Sequence, residues 1–354
     1  MLRQITLNFF IIGFCFLLIF YSDSFAQSFS FSNHIAFIKN GEVWISDEDG
    51  SNLKQITGNS VKVEDFQFSP SLKYLAYTKI LKYVDEPGLW DDSEDIPQKA
   101  VCSIVIINLQ NQKIIKEIMP TEGTWIYISR WLPDSNLLYY SSSGFDVSGF
   151  YSYDVQKNIK KEIDYNKSST ILSADYSSNG NLMTYIDNSG LGENYKENLH
   201  LVDLKSNSDK ILCSKRSINE NKISNNNGMI AFIEVEQKGK DYSDILWIYD
   251  IKKNSLNILH KGPANPKNGS KDEISWSPDD KYLGMFFSPS ALVMEPDNPG
   301  IIHKVQGTDF AWIENNKIVF SKENNIYIYS LITGKYILFI NYASKPVFLL
   351  KKDY

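Results

Sequence analysis

Arginine is almost missing from this chain. The only arginines are Arg3, Arg130 and Arg216, and the formal net charge is −6. That excludes the basic, guanidinium-rich footprint with which proteins read phosphates and base edges, so no nucleic-acid partner is expected. Cysteine is scarce too: Cys15, Cys102 and Cys213, with no C-x-x-C pair, which excludes a disulfide framework and a thiolate zinc site. The histidines are His34, His200, His260 and His303, and there is neither an H-E-x-x-H nor a G-x-S-x-G sequence. The zinc-protease and α/β-hydrolase signatures are therefore absent. After Ala26 no sustained 3.6-residue apolar repeat occurs, which excludes helical bundles. No cofactor motif is found.

One long apolar run exists, "LNFFIIGFCFLLIFY" from Leu7 to Tyr21, preceded by Arg3 and followed by the small residues Ser24 and Ala26. This is the pattern of a secretory leader cleaved after Ala26, which divides the chain into a 1–26 signal peptide and a single 27–354 domain. The other reading, an uncleaved anchor, requires a span from a run that is short for one. Cys15 follows the bulky Phe14, unlike a lipidation site. The expected location is periplasmic or secreted, with no membrane span once the leader is gone. In an oxidising compartment Cys102 and Cys213 could pair, but the repeat described next puts them in non-adjacent units, so two buried free thiols are expected.

The rest of the chain repeats itself. "ISWSPDDKYLGMFF" (Ile274 to Phe287) restates "FQFSPSLKYLAYTK" (Phe66 to Lys79), and weaker copies run from Ile128 to Ser142, Ser173 to Asp187, Ile223 to Val235 and Phe310 to Lys322. Each copy is an aromatic strand, a tight polar turn and a second apolar strand, with Pro-Asp or Asn-Gly turn chemistry in several. A third strand follows each, such as "ILWIYDIKKN" or "NIYIYSLITG", and then a short fourth, such as "LNILH" or "KYILFI". Four antiparallel strands repeated about every 40 to 50 residues mark a β-propeller blade. The fold class is all-β, with seven blades expected; six, with the units after Lys271 merged, is the alternative. The first unit, His34 to Gly58, holds only three strands, and "KPVFLLKK" (Lys345 to Lys352) is a strand without a unit. An open ring would leave two bare sheet edges, so the C-terminal strand is expected to become the inner strand of blade one.

"SPDDKYLGMFF", "SPSLKYLAYTK" and "IAFIKNGEVWISDEDGSNLKQIT" resemble the TolB-type, WD40-like (PD40) propeller repeat, whose core reads SPDGK followed by a strand. The resemblance covers nearly all of the chain after the leader and is strongest in blades one, two and six. It implies a propeller in the cell envelope. The chain departs from the family in having no room for the α/β domain that precedes the TolB propeller, and in placing Leu72 or Asp280 where the repeat has its turn glycine.

In a four-stranded antiparallel blade the connections between strands two and three, and between blades, share one face of the disc. Three of the former are expanded: Leu81 to Val101, Asn188 to Asn198 and Glu236 to Asp244. Long connections on one face of a rigid scaffold are where binding resides. The candidate partner-binding residues are Asp85, Glu86, Trp90, Asp91, Asp92, Glu94 and Asp95 in the first, Glu193 and Tyr195 in the second, and Asp241 and Tyr242 in the third. They suit a cationic partner. A solvated acidic loop is the plain alternative, and a Ca²⁺ site lacks the ligand spacing. "DEDGSN" (Asp47 to Asn52) has Gly58 where a calcium loop needs its bidentate Glu, so a hairpin turn is expected. Trp44, Trp131, Trp247, Trp276 and Trp312 are expected at equivalent positions, packing blade on blade, and the four histidines are expected to be structural. The expected function is non-enzymatic binding of an envelope or periplasmic protein, or a cell-wall component. Two alternatives remain: a propeller enzyme of lactonase, lyase or glycosidase type with its site at the channel, and a structural piece of an envelope assembly with contacts along the rim.

Overall fold

A computed structural model of the chain describes residues 31–58, 61–85, 98–132, 136–144, 148–163, 171–189, 192–239, 241–263, 274–287 and 290–349. The leader expected at 1–26 lies outside the described residues. Strands are the rule, because β-branched and aromatic residues alternate through every unit. A single 3-10 turn, Gly192–Asn194, is the one helical element among the described residues.

In chain order the strands are β1 (His34–Lys39), β2 (Glu42–Asp47) and β3 (Lys54–Gln55); β4 (Val63–Phe68), β5 (Tyr74–Asp85), β6 (Gln98–Asn108) and β7 (Ile114–Ile118); β8 (Thr124–Trp131), β9 (Leu137–Gly144), β10 (Ser148–Asp154) and β11 (Ile159–Glu162). Then follow β12 (Ile171–Tyr176), β13 (Leu182–Ser189), β14 (Lys196–Asp203) and β15 (Ser208–Lys215); β16 (Ile218–Ile223), β17 (Met229–Lys238), β18 (Asp241–Asp250) and β19 (Ser255–Pro263). The last are β20 (Ile274–Trp276), β21 (Leu283–Phe287), β22 (Ser290–Glu295) and β23 (Asn298–Gln306); β24 (Thr308–Glu314), β25 (Lys317–Lys322), β26 (Asn325–Ser330) and β27 (Lys335–Asn341); and finally β28 (Ala343–Leu349). They form seven four-stranded antiparallel sheets, the blades of a seven-bladed β-propeller. Six of these sheets take their strands in sequence order; the remaining one runs β28-β1-β2-β3. The C-terminal strand therefore closes the ring as the inner strand of blade one, with Leu349 opposite His34 and Ala343 opposite Lys39.

The core lies between blades. Tyr74, Ile104 and Ile106 of blade two meet Ile126, Trp131 and Leu138 of blade three, and comparable layers join blades five and six, six and seven and seven and one. Both faces of the middle strands are thus covered within the blade, which is why residues 35–38 of β1 and 229–233 of β17 read as unbroken apolar runs.

The tryptophans fall into two sets rather than one. Trp131, Trp276 and Trp312 lie at or near the ends of inner strands, and each donates its Nε1–H to a carbonyl on the inner strand of the preceding blade: Gln67 at 3.1 Å, Lys222 at 3.2 Å and Ser275 at 3.1 Å. Trp44 and Trp247 lie instead on third strands, β2 and β18. An indole is long enough to fill the gap between inner strands and still reach a partner carbonyl, which explains the first set.

The tight hairpins between strands one and two are laced together as well. Leu72 (φ 55°) and Asp280 (φ 59°) occupy the left-handed position where the repeat has glycine. Asp280 uses it to reach blade five: its Oδ1 accepts Asn225 N–H at 2.8 Å and its Oδ2 accepts Asn226 N–H at 2.6 Å. Ser178 of blade four likewise donates to the Asn225 carbonyl at 2.7 Å.

Candidate functional site: the ribbon face and the channel mouth

The three expanded connections all join second to third strands, in blades two, four and five, so they leave the disc on one face. Much of what the sequence suggests as loop is strand. In blade two the inner strand stops pairing at Val63–Lys79, yet β5 and β6 stay paired out to Asp85–Gln98. In blade five β17 and β18 continue to Lys238–Asp241, with Tyr242 opposite Gln237. The reading of Glu236 to Asp244 as a loop is corrected accordingly: its polar residues continue the two-residue alternation, and the ladder satisfies the backbone beyond the blade. In blade four the ladder runs to Ser189–Lys196. Three β-ribbons therefore stand on one face.

The candidate binding residues are distributed over these ribbons. Asp85 ends β5, and Glu86, Trp90, Asp91, Asp92, Glu94 and Asp95 lie outside the described residues. Glu193 is in the 3-10 turn. Tyr195 donates its hydroxyl to Glu197 Oε1 at 2.8 Å, and burial raises its pKa, with that bond adding to the effect. Asp241 is exposed and Tyr242 half-buried at the start of β18. The ribbon of blade two carries two further residues, Leu81 and Tyr83, exposed at 38% and 51%. Leu81 is the bulged residue between the Ile80–Cys102 and Lys82–Val101 pairs, and a bulge re-aims the side chain it carries. The signal for both was in the sequence, as apolar residues continuing past the length of a blade. The ribbon is tied down by Lys99, whose ammonium lies 4.4 Å from the Trp125 ring centre.

The same face holds a cavity of about 440 Å³ in the central channel, between the inner strands of blades one, two, three and seven. Glu64, Asp65, Tyr127, Asp309 and Lys345 supply its polar wall, and Phe66, Ile128 and Phe310 part of its apolar wall. Lys345 Nζ is 3.9 Å from Asp65 Oδ1. Cys102 donates its thiol to Glu64 Oε2 at 3.0 Å. Burial, reinforced by that bond, pushes the Cys102 thiol up to about 12, so it is not poised as a nucleophile. Deeper in the ring, the Arg130 guanidinium pairs with Asp175 Oδ1, whose side chain is 1% exposed, and the other Asp175 oxygen accepts Ile223 N–H at 2.9 Å. No group of three or more His, Cys, Asp or Glu side chains among the described residues is arranged to hold a metal ion.

The histidines sit in four different blades. His34 bridges Ser32 O and Asp47. His200 stacks on Tyr185 at 4.2 Å with Asp209 Oδ1 2.9 Å from its Nδ1. His303 Nδ1 is 2.8 Å from the Tyr329 hydroxyl. Burial lowers the pKa of His260 and His303. Cys102 and Cys213 are both free, as expected, although Cys213 is only partly buried. "DEDGSN" is a turn: Ser51 N–H bonds Asp49 Oδ1 at 2.9 Å and Asn52 Nδ2 bonds Asp47 Oδ2 at 2.6 Å.

No protein-family model matches the chain, and no curated protein matches it in sequence. Solved structures do resemble it. TolB from Acinetobacter baumannii is 17% identical, with 91% of this chain and 67% of that one covered, at a TM-score of 0.50. A functionally unknown protein from Desulfotomaculum acetoxidans is 12% identical over 91% of this chain and all (100%) of the other, at 0.56. An oligogalacturonate lyase in complex with manganese is 11% identical over 86% and 83% of the two chains, at 0.52. These identities show a shared fold, the β-propeller, on which unrelated activities are carried.

Proposed function

We propose that this chain is an exported, non-enzymatic propeller that holds another envelope protein, or a cell-wall component, on its ribbon face. The observation that carries the reading is the blade-two ribbon, which lifts exposed Leu81 and Tyr83 beyond the disc beside the stretch holding Glu86, Asp91, Asp92, Glu94 and Asp95. Apolar anchors followed in sequence by a run of one charge suit a partner with an apolar patch rimmed by lysine or arginine. The likeness to TolB agrees with an envelope role.

The test is site-specific photo-crosslinking from position 83 in intact cells of the source organism. A discrete adduct is expected, lost in a Leu81→Asp variant and in a deletion of residues 89–97, with melting unchanged. An adduct that survives both changes overturns the reading. The channel cavity, with Glu64, Asp65 and Asp309 on its wall, favours a second reading as an enzyme acting on a small or oligomeric substrate there. Turnover abolished by Asp65→Asn and Asp309→Asn, but untouched by Leu81→Asp, would establish that reading in place of the first.

A further inference from the structure

The outer strands of the blades are sheet edges, and exposed edges invite pairing with other chains. Most of them are guarded by lysine. Lys116 lies within β7, Lys160 and Lys161 within β11, Lys210 within β15, Lys261 within β19 and Lys304 within β23, while β3 is only two residues long. Blade seven differs. Its outer strand β27 reads KYILFIN, and its one charge, Lys335, stands at the first position. Tyr336, Ile337 and Leu338 are 50%, 66% and 50% exposed, and Ile332 in the preceding turn is 77% exposed. Beyond them the strand changes: Phe339 is the bulged residue between the Leu338–Tyr327 and Ile340–Ile326 pairs, and Ile340 is buried. The unguarded stretch is therefore Lys335 to Leu338.

We infer that this edge pairs with the same edge of a second copy of the chain, antiparallel, to form a weak homodimer. Residues 336–338 are self-complementary when the two strands run antiparallel. With a two-fold axis at Ile337, Ile337 faces Ile337 of the other copy and Tyr336 faces its Leu338, an aromatic–aliphatic pair on one face of the joined sheet. A parallel arrangement would put lysine against lysine. The two-fold also closes the assembly at two copies. The exposed parts of Ile332, Tyr336, Ile337 and Leu338 come to roughly 450 Å² per copy, or about 900 Å² in all, which is below the size of a standard stable interface and fits a transient one. This inference is independent of the ribbon-face reading, because the edge lies on the rim and not on either face.

Sedimentation velocity of the purified chain over a concentration series tests it. The weight-average mass is expected to rise toward that of a dimer, and Ile337→Lys to weaken association by tenfold or more, since it buries two lysines at the pairing edge. Ile337 is exposed, so the variant folds, which an unchanged melting curve checks. Ile211→Lys, at a 54% exposed position on the lysine-guarded outer edge of blade four, leaves association unchanged. A monomer at every concentration, a dimer indifferent to Ile337→Lys, or one weakened equally by Ile211→Lys overturns the inference.

Discussion

Replacing Asp280 with glycine sets two physical effects against each other at one residue. The site is left-handed, at φ 59°, a conformation that glycine adopts without strain. Relief of the positive φ favours the glycine variant by about 1 kcal/mol, but glycine's extra freedom in the unfolded chain takes back roughly the same amount. What remains is the carboxylate. Its oxygens accept Asn225 N–H at 2.8 Å, Asn225 Nδ2–H at 2.9 Å and Asn226 N–H at 2.6 Å, and the residue is 6% exposed. Hydrogen bonds to a charged group contribute about 1.5–3 kcal/mol, and the two backbone N–H groups left behind sit in a half-buried turn. A net loss of about 2–3 kcal/mol follows. Unfolding entropy of about 2 cal/mol/K per residue makes this a fall in Tm of roughly 3–5 °C for a domain of this length. Asp280→Asn keeps one acceptor and the tolerance for positive φ, so it should lose about half as much. Thermal and urea denaturation of the two variants beside the unmodified chain are the assays. A glycine variant as stable as the parent would refute the reasoning, because it would mean that the link between blades five and six contributes nothing.

Trp312→Phe should lose about 1 kcal/mol in urea denaturation, the value of the Nε1–H bond to Ser275 O, while Trp312→Ala should lose about 3–5 kcal/mol. Arg130→Met leaves the buried Asp175 with Lys222 Nζ, 3.8 Å away, and should cost about 2–4 kcal/mol in the same assay. Stability should fall as pH rises past about 9. The folded state holds the Cys102 and Cys213 protons up to about 12 and about 11, chiefly through burial, against an ordinary value of 9.0, and burial raises Tyr140 and Tyr185 too. The unfolded chain gives up these protons first, so the advantage is intact below pH 9 and lost above it; urea midpoints measured at pH 7 and pH 10 check this. For the same reason both thiols should resist iodoacetamide at pH 8 in the native state and react rapidly in urea.

The architecture was legible because its signals are local and repeated. "SPSLKYL" and "SPDDKYL" each encode a strand, a turn and a strand within a few residues, and the surplus "KPVFLLKK" could belong only to the unit lacking a strand. Other features were hidden because they depend on residues far apart in sequence. Asp280 reads as ordinary turn chemistry until its partners appear 54 and 55 residues earlier. The tryptophans look equivalent by spacing, yet of these five only the three on inner strands donate a hydrogen bond to the preceding blade. In the ribbons, "EQKGKDYSD" is polar enough to pass for a loop, because a hairpin standing clear of its neighbours has no core-facing side to mark with apolar residues. The candidate site was legible as the face from which it emerges; Leu81 and Tyr83 continue the apolar character of β5 past the blade in the sequence, and only the structure shows them exposed.

The closure of blade one by β28 also constrains how the ring can assemble. Until the residues near 349 have been synthesised, His34 to Lys39 have no inner neighbour, and the blades can form only an arc. A blade one folded before then would expose a bare β-edge, and the pairing of β28 with β1 is the latch that commits the whole disc.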